Sequence, residues 1–207
     1  MTTVSPTAAP TTDLPMSFSV PEQFREIDFS VSAEDNTNKL LDELTALDPR
    51  PSDEQIAHAV LAQQAMYEML AAAGAVWAGI LLCAPEGEGH LSSIMLTVTA
   101  RPSELANEQT VHRLARTMGA IYPDAEVGVV RLPCGDAVVL TEEAKVEKPV
   151  NLLADGGGPT LVRQMHVFVP IPDRCAMADF AVATENVPQW EECVDIVGAV
   201  CKTIEFA

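Results

Sequence analysis

Alternating apolar and polar positions predict a β-hairpin in the last third of the chain. Residues 161–169 are rich in β-branched and aromatic side chains, and residues 175–184 form a second alternating stretch. Between them, Pro170 and Pro172 fix two φ angles and remove two backbone donors, which predicts the end of the first strand and a turn. That strand has one apolar face and one mixed face. The mixed face comprises Val162, Gln164, His166 and Phe168.

An amphipathic helix is predicted to follow the hairpin. Asn186 lies at the expected N-cap, and Pro188 lies at the first helical positions, where its missing N–H is not needed. Apolar residues then recur every three or four positions, which indicates a helix packed on a sheet. They are Trp190, Cys193, Val194, Val197 and Cys201. Residues 203–206 can add a short final strand, at a sheet edge or beside the N-terminal strand.

Helical and strand patterns also succeed each other through the rest of the chain. Helices are predicted at residues 34–47, 52–73 and 102–121, and strands at 16–20, 24–29, 75–84, 91–100, 126–132 and 137–144. Gly74 suits the left-handed position that ends a helix. Residues 75–84 are apolar on both faces, which is typical of a central strand. The pattern predicts an α+β fold in which about four helices pack on one or both faces of a mainly antiparallel sheet of about seven strands.

Composition predicts one domain, residues 16–207, behind a short tail. Residues 1–15 are rich in Thr, Pro and Ala, carry one charge, and are predicted to be disordered. They lack the basic and apolar regions of a signal peptide. The longest apolar run, residues 71–84, is shorter than the roughly 20 residues that cross a bilayer. We therefore expect a cytoplasmic protein in which residues 145–160, with three successive glycines, form a long connection.

The charge of the chain narrows the choice of partners. The net charge is −18, and residues 1–100 contain three basic and fourteen acidic residues, whereas residues 101–131 balance four arginines against four acids. Such a surface repels nucleic-acid backbones and anionic lipid headgroups, so neither a nucleic acid nor a membrane is expected as a partner. A basic protein partner fits this charge, although solubility alone is the commoner reason for an acidic surface.

No residue pattern predicts a cofactor or a metal site. The glycine run 156–158 lacks the Lys-Ser/Thr that follows in a phosphate-binding loop. The four histidines, His58, His90, His112 and His166, have no partners at metal-ligand spacing. The five cysteines form no C-x-x-C pair and are odd in number, which predicts reduced, mostly buried thiols. Catalytic, cofactor-binding and metal-binding residues are therefore all predicted to be absent.

A few residues could carry chemistry, and each has a simpler interpretation. His166 is predicted to be a hydrogen-bonded sheet histidine rather than a general base, because no partner for it is visible in the sequence. Two carboxylate pairs, residues 86 with 88 and 142 with 143, are predicted to be solvated charges in turns or at strand ends. Trp190 is predicted to pack in the core rather than to anchor an interface.

Both ends of the chain resemble the PsbP-like superfamily, which includes an extrinsic photosystem II subunit, a Ran-binding nuclear import factor, and small bacterial proteins and lipoproteins. The matching stretches are FSVPEQF near the start and FAVATENVPQWEECVDIVGAVCKTIEF at the end. The resemblance implies an α/β/α sandwich around an antiparallel sheet, used for binding proteins and not for catalysis. The chain departs from the family at residues 34–74, where two helices exceed what a minimal member needs, and it has no lipoprotein cysteine near its start.

Three functions remain, in decreasing order of support. The first is a non-catalytic interaction module that docks a protein partner on its acidic N-terminal half or through residues 145–160. The charge favours a basic partner. The second is a carrier of a small apolar, lipid-like ligand in a pocket lined by Met66, Met69 and Met95. The third is an enzyme, which would require a cleft where His166 or His112 meets a carboxylate.

Overall fold

The computed structural model describes residues 7–8, 16–46, 50, 52–83, 92–103, 108–146, 160–172 and 174–206. Its strands are β1 (Thr7–Ala8), β2 (Met16–Ser17), β3 (Ser19–Val20), β4 (Arg25–Ile27), β5 (Ala75–Cys83), β6 (Ser92–Pro102), β7 (Glu126–Leu132), β8 (Gly135–Val146), β9 (Thr160–Ile171), β10 (Ala176–Thr184) and β11 (Glu205–Phe206). Its α-helices are α1 (Ala33–Thr45), α2 (Asp53–Ala72), α3 (Glu108–Ile121) and α4 (Trp190–Lys202).

Seven strands form one sheet in the order β4-β5-β6-β10-β9-β8-β7. Every neighbouring pair in this sheet is antiparallel. Two short ladders, β1 with β3 and β11 with β2, lie outside it. The predicted α+β class, with an antiparallel sheet of seven strands and four helices in the described part of the chain, is confirmed. The last strand lies beside the N-terminal strand, which is one of the two positions predicted for it.

One face of the sheet packs against α4 and forms the main core. Val98, Phe180 and Val167 are neighbours across three central strands, and each is at most 3% exposed. Phe18, from the N-terminal segment, meets the ring of Phe180 edge-on with centroids 5.2 Å apart. Trp190 belongs to the same buried cluster, which confirms its predicted place in the core.

The other face is covered by helices at its two ends. Helix α2 packs over β4 and β5 through a cluster of Ile27, Leu70 and Ala78. Helix α3 packs over β7 and β8, where Val111 and Val138 are fully buried. Strand β5 is therefore covered on both sides, as its apolar pattern predicts. The layers are helix, sheet and helix, which is the α/β/α sandwich.

Two predicted strand ends were wrong, and both lie at prolines. Strand β6 continues through Pro102 and β9 continues through Pro170 to Ile171. Pro102 of β6 and Pro170 of β9 both pair with β10. At these positions β6 no longer pairs with β5, and β9 no longer pairs with β8. Each therefore lies where its strand has a neighbour on one side only, the edge position in which a strand proline is tolerated.

Two predicted helix starts also differ from the structure. Residues 187–189 form a turn of 3-10 helix, and α4 begins only at Trp190. Asn186 precedes this 3-10 turn, and its side-chain amide donates to Gln189 Oε1 instead of capping the helix. The helix predicted from residue 102 is described from Glu108 onward, and residues 104–107 lie outside the described residues.

Several predictions fall outside the described residues. Of the predicted disordered tail, only Thr7–Ala8 is described, and it pairs with Ser19–Val20. Glu86, Glu88, His90, the glycine run and residues 147–159 of the predicted connection are not described. Three predictions therefore stay predictions: the disorder of residues 1–15, the single domain of residues 16–207, and the role of residues 145–160. Among the described helices, none has the length and apolar content needed to span a bilayer.

Candidate functional site

Between α2 and α3, the sheet presents a partly exposed polar surface. His166 and Asp179 are 25% and 22% exposed there, whereas Phe180 and Val182, on the opposite face of β10, are fully buried. The strand register places two further polar residues of β8 and β9 on the same face. We call this surface the polar floor. It consists of Glu142, Gln164, His166 and Asp179.

The contact between His166 and Asp179 is set by the β9–β10 ladder. Asp179 pairs with Phe168, two residues from His166 on the same face, so the contact runs diagonally between the strands. His166 Nδ1 lies 3.0 Å from Asp179 Oδ2 and 3.1 Å from Oδ1. The imidazole also stacks on Phe168, with centroids 5.7 Å apart and planes 7° apart. The ring is therefore oriented by a carboxylate and by an aromatic face.

The contact between Gln164 and Glu142 runs directly across the β8–β9 ladder. Gln164 Nε2 donates to Glu142 Oε1 at 2.6 Å. Glu143 points to the opposite face, where its Oε1 lies 3.8 Å from Arg163 Nε, and the Arg163 guanidinium lies 4.9 Å from the Trp190 ring centroid. Glu142 and Glu143 thus lie inside a strand and do not form a carboxylate pair. Their predicted place in a turn or at a strand end was wrong.

The polar floor keeps a negative charge whatever the state of its histidine. Burial lowers the pKa of His166, but the hydrogen bond and charge of Asp179, together with the charge of Glu142, more than offset this effect. The pKa of His166 therefore lies above its ordinary value of 6.5. With His166 protonated, two carboxylates still face one imidazolium. Such a site favours a cation.

His166 does meet a carboxylate, which is the geometric condition that an enzyme would require. A histidine base activates a nucleophile only if one lies within reach. Burial raises the pKa of the Cys134 thiol, and burial together with Cys134 raises the pKa of Cys201 to about 12, so these two thiols are protonated at neutral pH. The geometry of the polar floor fits the binding of a cation directly. The absence of an enzyme activity stays a prediction.

The described part of the chain does not assemble the other candidate groups. His112 is exposed on α3. No cluster of three or more His, Cys, Asp or Glu that could hold a metal occurs among the described residues. Met69 is 60% exposed, so it cannot line a closed pocket, while Met66 packs half-buried beside Leu70 and Met95 lies half-buried on β6. The structure therefore does not bring the three methionines together as a closed apolar site.

The described cysteines agree only in part with the prediction. Cys134, Cys175, Cys193 and Cys201 are thiols that form no disulfide. Cys193 and Cys201 are buried in the core, and Cys134 is half-buried. Cys175 is exposed in the β9–β10 turn, where its φ is +42°, contrary to the expectation of mostly buried thiols. Its position in a turn, and not its residue type, determines its exposure.

The polar floor was missed because its contacts depend on strand register. His166 and Asp179 are 13 residues apart, and Gln164 and Glu142 are 22 apart. Two residues of the polar floor stand out in the sequence, His166 as a polar residue in an alternating apolar strand and Glu142 as a neighbour of Glu143. A fixed register for the β9–β10 hairpin would have placed Asp179 beside His166.

Comparison with known proteins adds a match to a solved structure. No protein-family model matches the chain, and no curated protein matches it. A matching solved structure is the solution structure of cyanobacterial PsbP (CyanoP) from Synechocystis sp. PCC 6803. It is 12% identical, with a TM-score of 0.40, and the match covers 100% of this chain and 95% of that chain. It carries the name of the superfamily that both chain ends resemble.

Proposed function

We propose that this chain is a non-catalytic binding module that docks a basic protein partner, and that the polar floor receives a lysine or arginine side chain of that partner. The observation that carries the proposal is the pair of partly exposed carboxylates, Asp179 and Glu142, on the part of the sheet between α2 and α3. The cytoplasmic location expected from the sequence belongs to the proposal as well.

The geometry of the polar floor suits a side chain that projects from a partner. Helices α2 and α3 cover the two ends of this face, so a long cationic side chain can reach between them to the strands. Asp179 and Glu142 are each held by one neighbour, His166 and Gln164, before any partner arrives. A site that is already ordered loses little conformational freedom on binding.

The charge around the polar floor supports a basic partner. Helices α1 and α2 each begin with two carboxylates in the first turn. The chain as a whole carries a net charge of −18, and a field of this sign steers a basic protein towards it during diffusion. Steering of this kind weakens as salt is added, because exposed charges are screened.

A titration with a tetralysine peptide tests the polar floor directly. Labelling the histidines lets NMR follow the imidazole of His166 in the wild type, in an Asp179→Asn/Glu142→Gln variant and in a Glu191→Gln/Glu192→Gln control. The control removes the same charge from exposed positions on α4. We expect a saturable shift of His166 in the wild type and in the control, and none in the site variant. Equal binding by all three proteins would remove the polar floor from the proposal.

A further inference from the structure

Strand β7 forms one end of the seven-stranded sheet, and no other described residues pair with its outer edge. It is seven residues long, contains no proline, and has its two charged residues, Glu126 and Arg131, at its first and sixth positions, so its middle lacks the charges and prolines that usually protect an edge. In an antiparallel ladder, every second residue turns its backbone N–H and C=O away from the neighbouring strand. Strand β7 therefore offers a row of backbone donors and acceptors. The edge strand at the other end, β4, has only three residues.

The middle of β7 and the end of α3 are apolar and exposed. Residues 127–130 of the strand carry no charge, and Val130 is 38% exposed. Nothing lies within 4 Å of the position that a Cβ of Gly128 would occupy. Ile121 and Tyr122, just before the strand, are 61% and 41% exposed. Edges of this kind pair readily with another strand.

The distribution of charge favours this edge as the contact between two copies of the chain. Residues 108–132 carry three arginines and three carboxylates, so this segment is neutral in a chain of net charge −18. The acidic helices α1 and α2 pack at the β4–β5 end of the sheet. With strands spaced about 4.8 Å apart, that end lies roughly 29 Å from β7, which is several Debye lengths at physiological salt. Two acidic chains meet with least repulsion at this edge.

We infer that two copies of this chain associate through antiparallel pairing of their β7 strands. If a two-fold axis normal to the sheet relates the two copies, residues that pair across the axis lie on the same face of the joined sheet. A register in which Val129 pairs with the partner's Val129 satisfies this condition. In this register Val130 lies opposite the partner's Gly128, where no side chain occupies the space. Glu126 lies opposite the partner's Leu132, so like charges are not paired. The two sheets become one continuous sheet with both acidic ends outermost.

Sedimentation velocity over a range of protein concentrations tests this association. We expect a reversible dimer of the full chain that strengthens with added salt, because salt screens the remaining repulsion between two acidic copies. A Val130→Lys variant should weaken the dimer at least tenfold, since two lysines would approach each other diagonally across the axis. Leu61→Lys, at a 56% exposed position on α2, is the matched control and should not weaken it.

Hydrogen exchange of residues 126–132 distinguishes this edge from other modes of association. We expect protection of these amides to rise with protein concentration in the wild type and in Leu61→Lys, but not in Val130→Lys. A chain that stays monomeric throughout the range would overturn the inference. A dimer that is equally strong in Val130→Lys, without concentration-dependent protection of β7, would also overturn it. Protection of the β7 amides that appears only when other proteins are added would assign the edge to a different partner and would overturn the inference as well.

Discussion

His166 Nδ1 lies 3.0 Å from Asp179 Oδ2 on neighbouring central strands of the sheet. The two residues are diagonal neighbours, because Asp179 pairs with Phe168 and His166 pairs with Ala181. Each is about a quarter exposed, so the pair is ordered by the sheet and still reached by solvent. With Glu142 beside it, this pair gives the open part of the sheet its negative charge.

Replacing Asp179 by Asn should lower the pKa of His166, because the hydrogen bond and charge of Asp179 hold that pKa above its ordinary value. Histidine resonances followed by NMR against pH measure this change. Asp195→Asn, at an exposed position on α4, should leave the pKa of His166 unchanged. An unaltered His166 pKa in Asp179→Asn would show that the contact is not formed in solution.

The same pair predicts a pH-dependent contribution to stability. A histidine whose pKa is higher in the folded chain stabilises the fold fully below its unfolded pKa of about 6.5, and this contribution is lost as the pH rises through the folded pKa. The loss of unfolding free energy in Asp179→Asn should therefore be largest below about pH 6.5 and shrink at higher pH. Urea unfolding at several pH values measures this loss. A loss of unfolding free energy in Asp179→Asn that grows with pH would contradict the prediction.

Asn36 should matter for stability although it lies on an acidic, mostly exposed helix. Its side chain is 5% exposed and bonds both the N–H (3.1 Å) and the C=O (2.7 Å) of Asp28. Asn36→Ala leaves both backbone groups without this partner, and we expect a loss of about 2–3 kcal/mol in the free energy of unfolding. Asn38→Ala, at an exposed position on the same helix, should change it by less than about 0.5 kcal/mol. Equal effects in urea unfolding would rule out the buried role of Asn36.

Two glycine substitutions should change stability in opposite directions. A Cβ at Gly79 would lie 2.5 Å from Cη2 of Trp77, a residue only 4% exposed, so Gly79→Ala should destabilise the chain by about 1–3 kcal/mol. Gly198→Ala, in α4 with no atom within 4 Å of the new Cβ, should stabilise it by roughly 0.5–1 kcal/mol. The urea midpoints of the two variants should therefore move to opposite sides of the wild-type value.

The thiols should react in an order set by their exposure. Cys175 is exposed in a turn and should be modified first by iodoacetamide in the native protein. Cys134 should follow slowly, because burial raises its pKa. Cys193 and Cys201 should react only after unfolding, since both are buried in the core. Mass spectrometry of peptides at successive times measures the order, and early modification of Cys201 would contradict the described packing.

Most of the fold could be predicted, because strong local signals agree with the packing. Strand β7 lies at the predicted residues 126–132, and Gly74 adopts the predicted positive φ, +76°. The continuous apolar pattern of β5 corresponds to a strand whose two faces belong to two different buried apolar clusters. In each case the pattern along the chain and the burial in the fold require the same residue types.

The remaining features depend on contacts between residues distant in sequence. Asn36 and Gln63 interrupt no apolar pattern, yet they are buried together, since Gln63 Nε2 donates to the carbonyl oxygen of Asn36 at 2.7 Å. Pro170 predicts the end of a strand, but it pairs with β10 at a position where β8 no longer pairs with β9. The polar floor likewise exists only once the register of three strands is fixed.

Affinity capture from the native lysate with matched charge variants tests the proposed docking function most directly. The wild type and the Glu191→Gln/Glu192→Gln control should retain the same stoichiometric basic protein at low salt and release it at high salt. The Asp179→Asn/Glu142→Gln variant, folded and of equal net charge to the control, should not retain it. A basic partner held equally by all three proteins would contradict docking at the polar floor, and capture of no partner by the wild type would contradict the docking function itself.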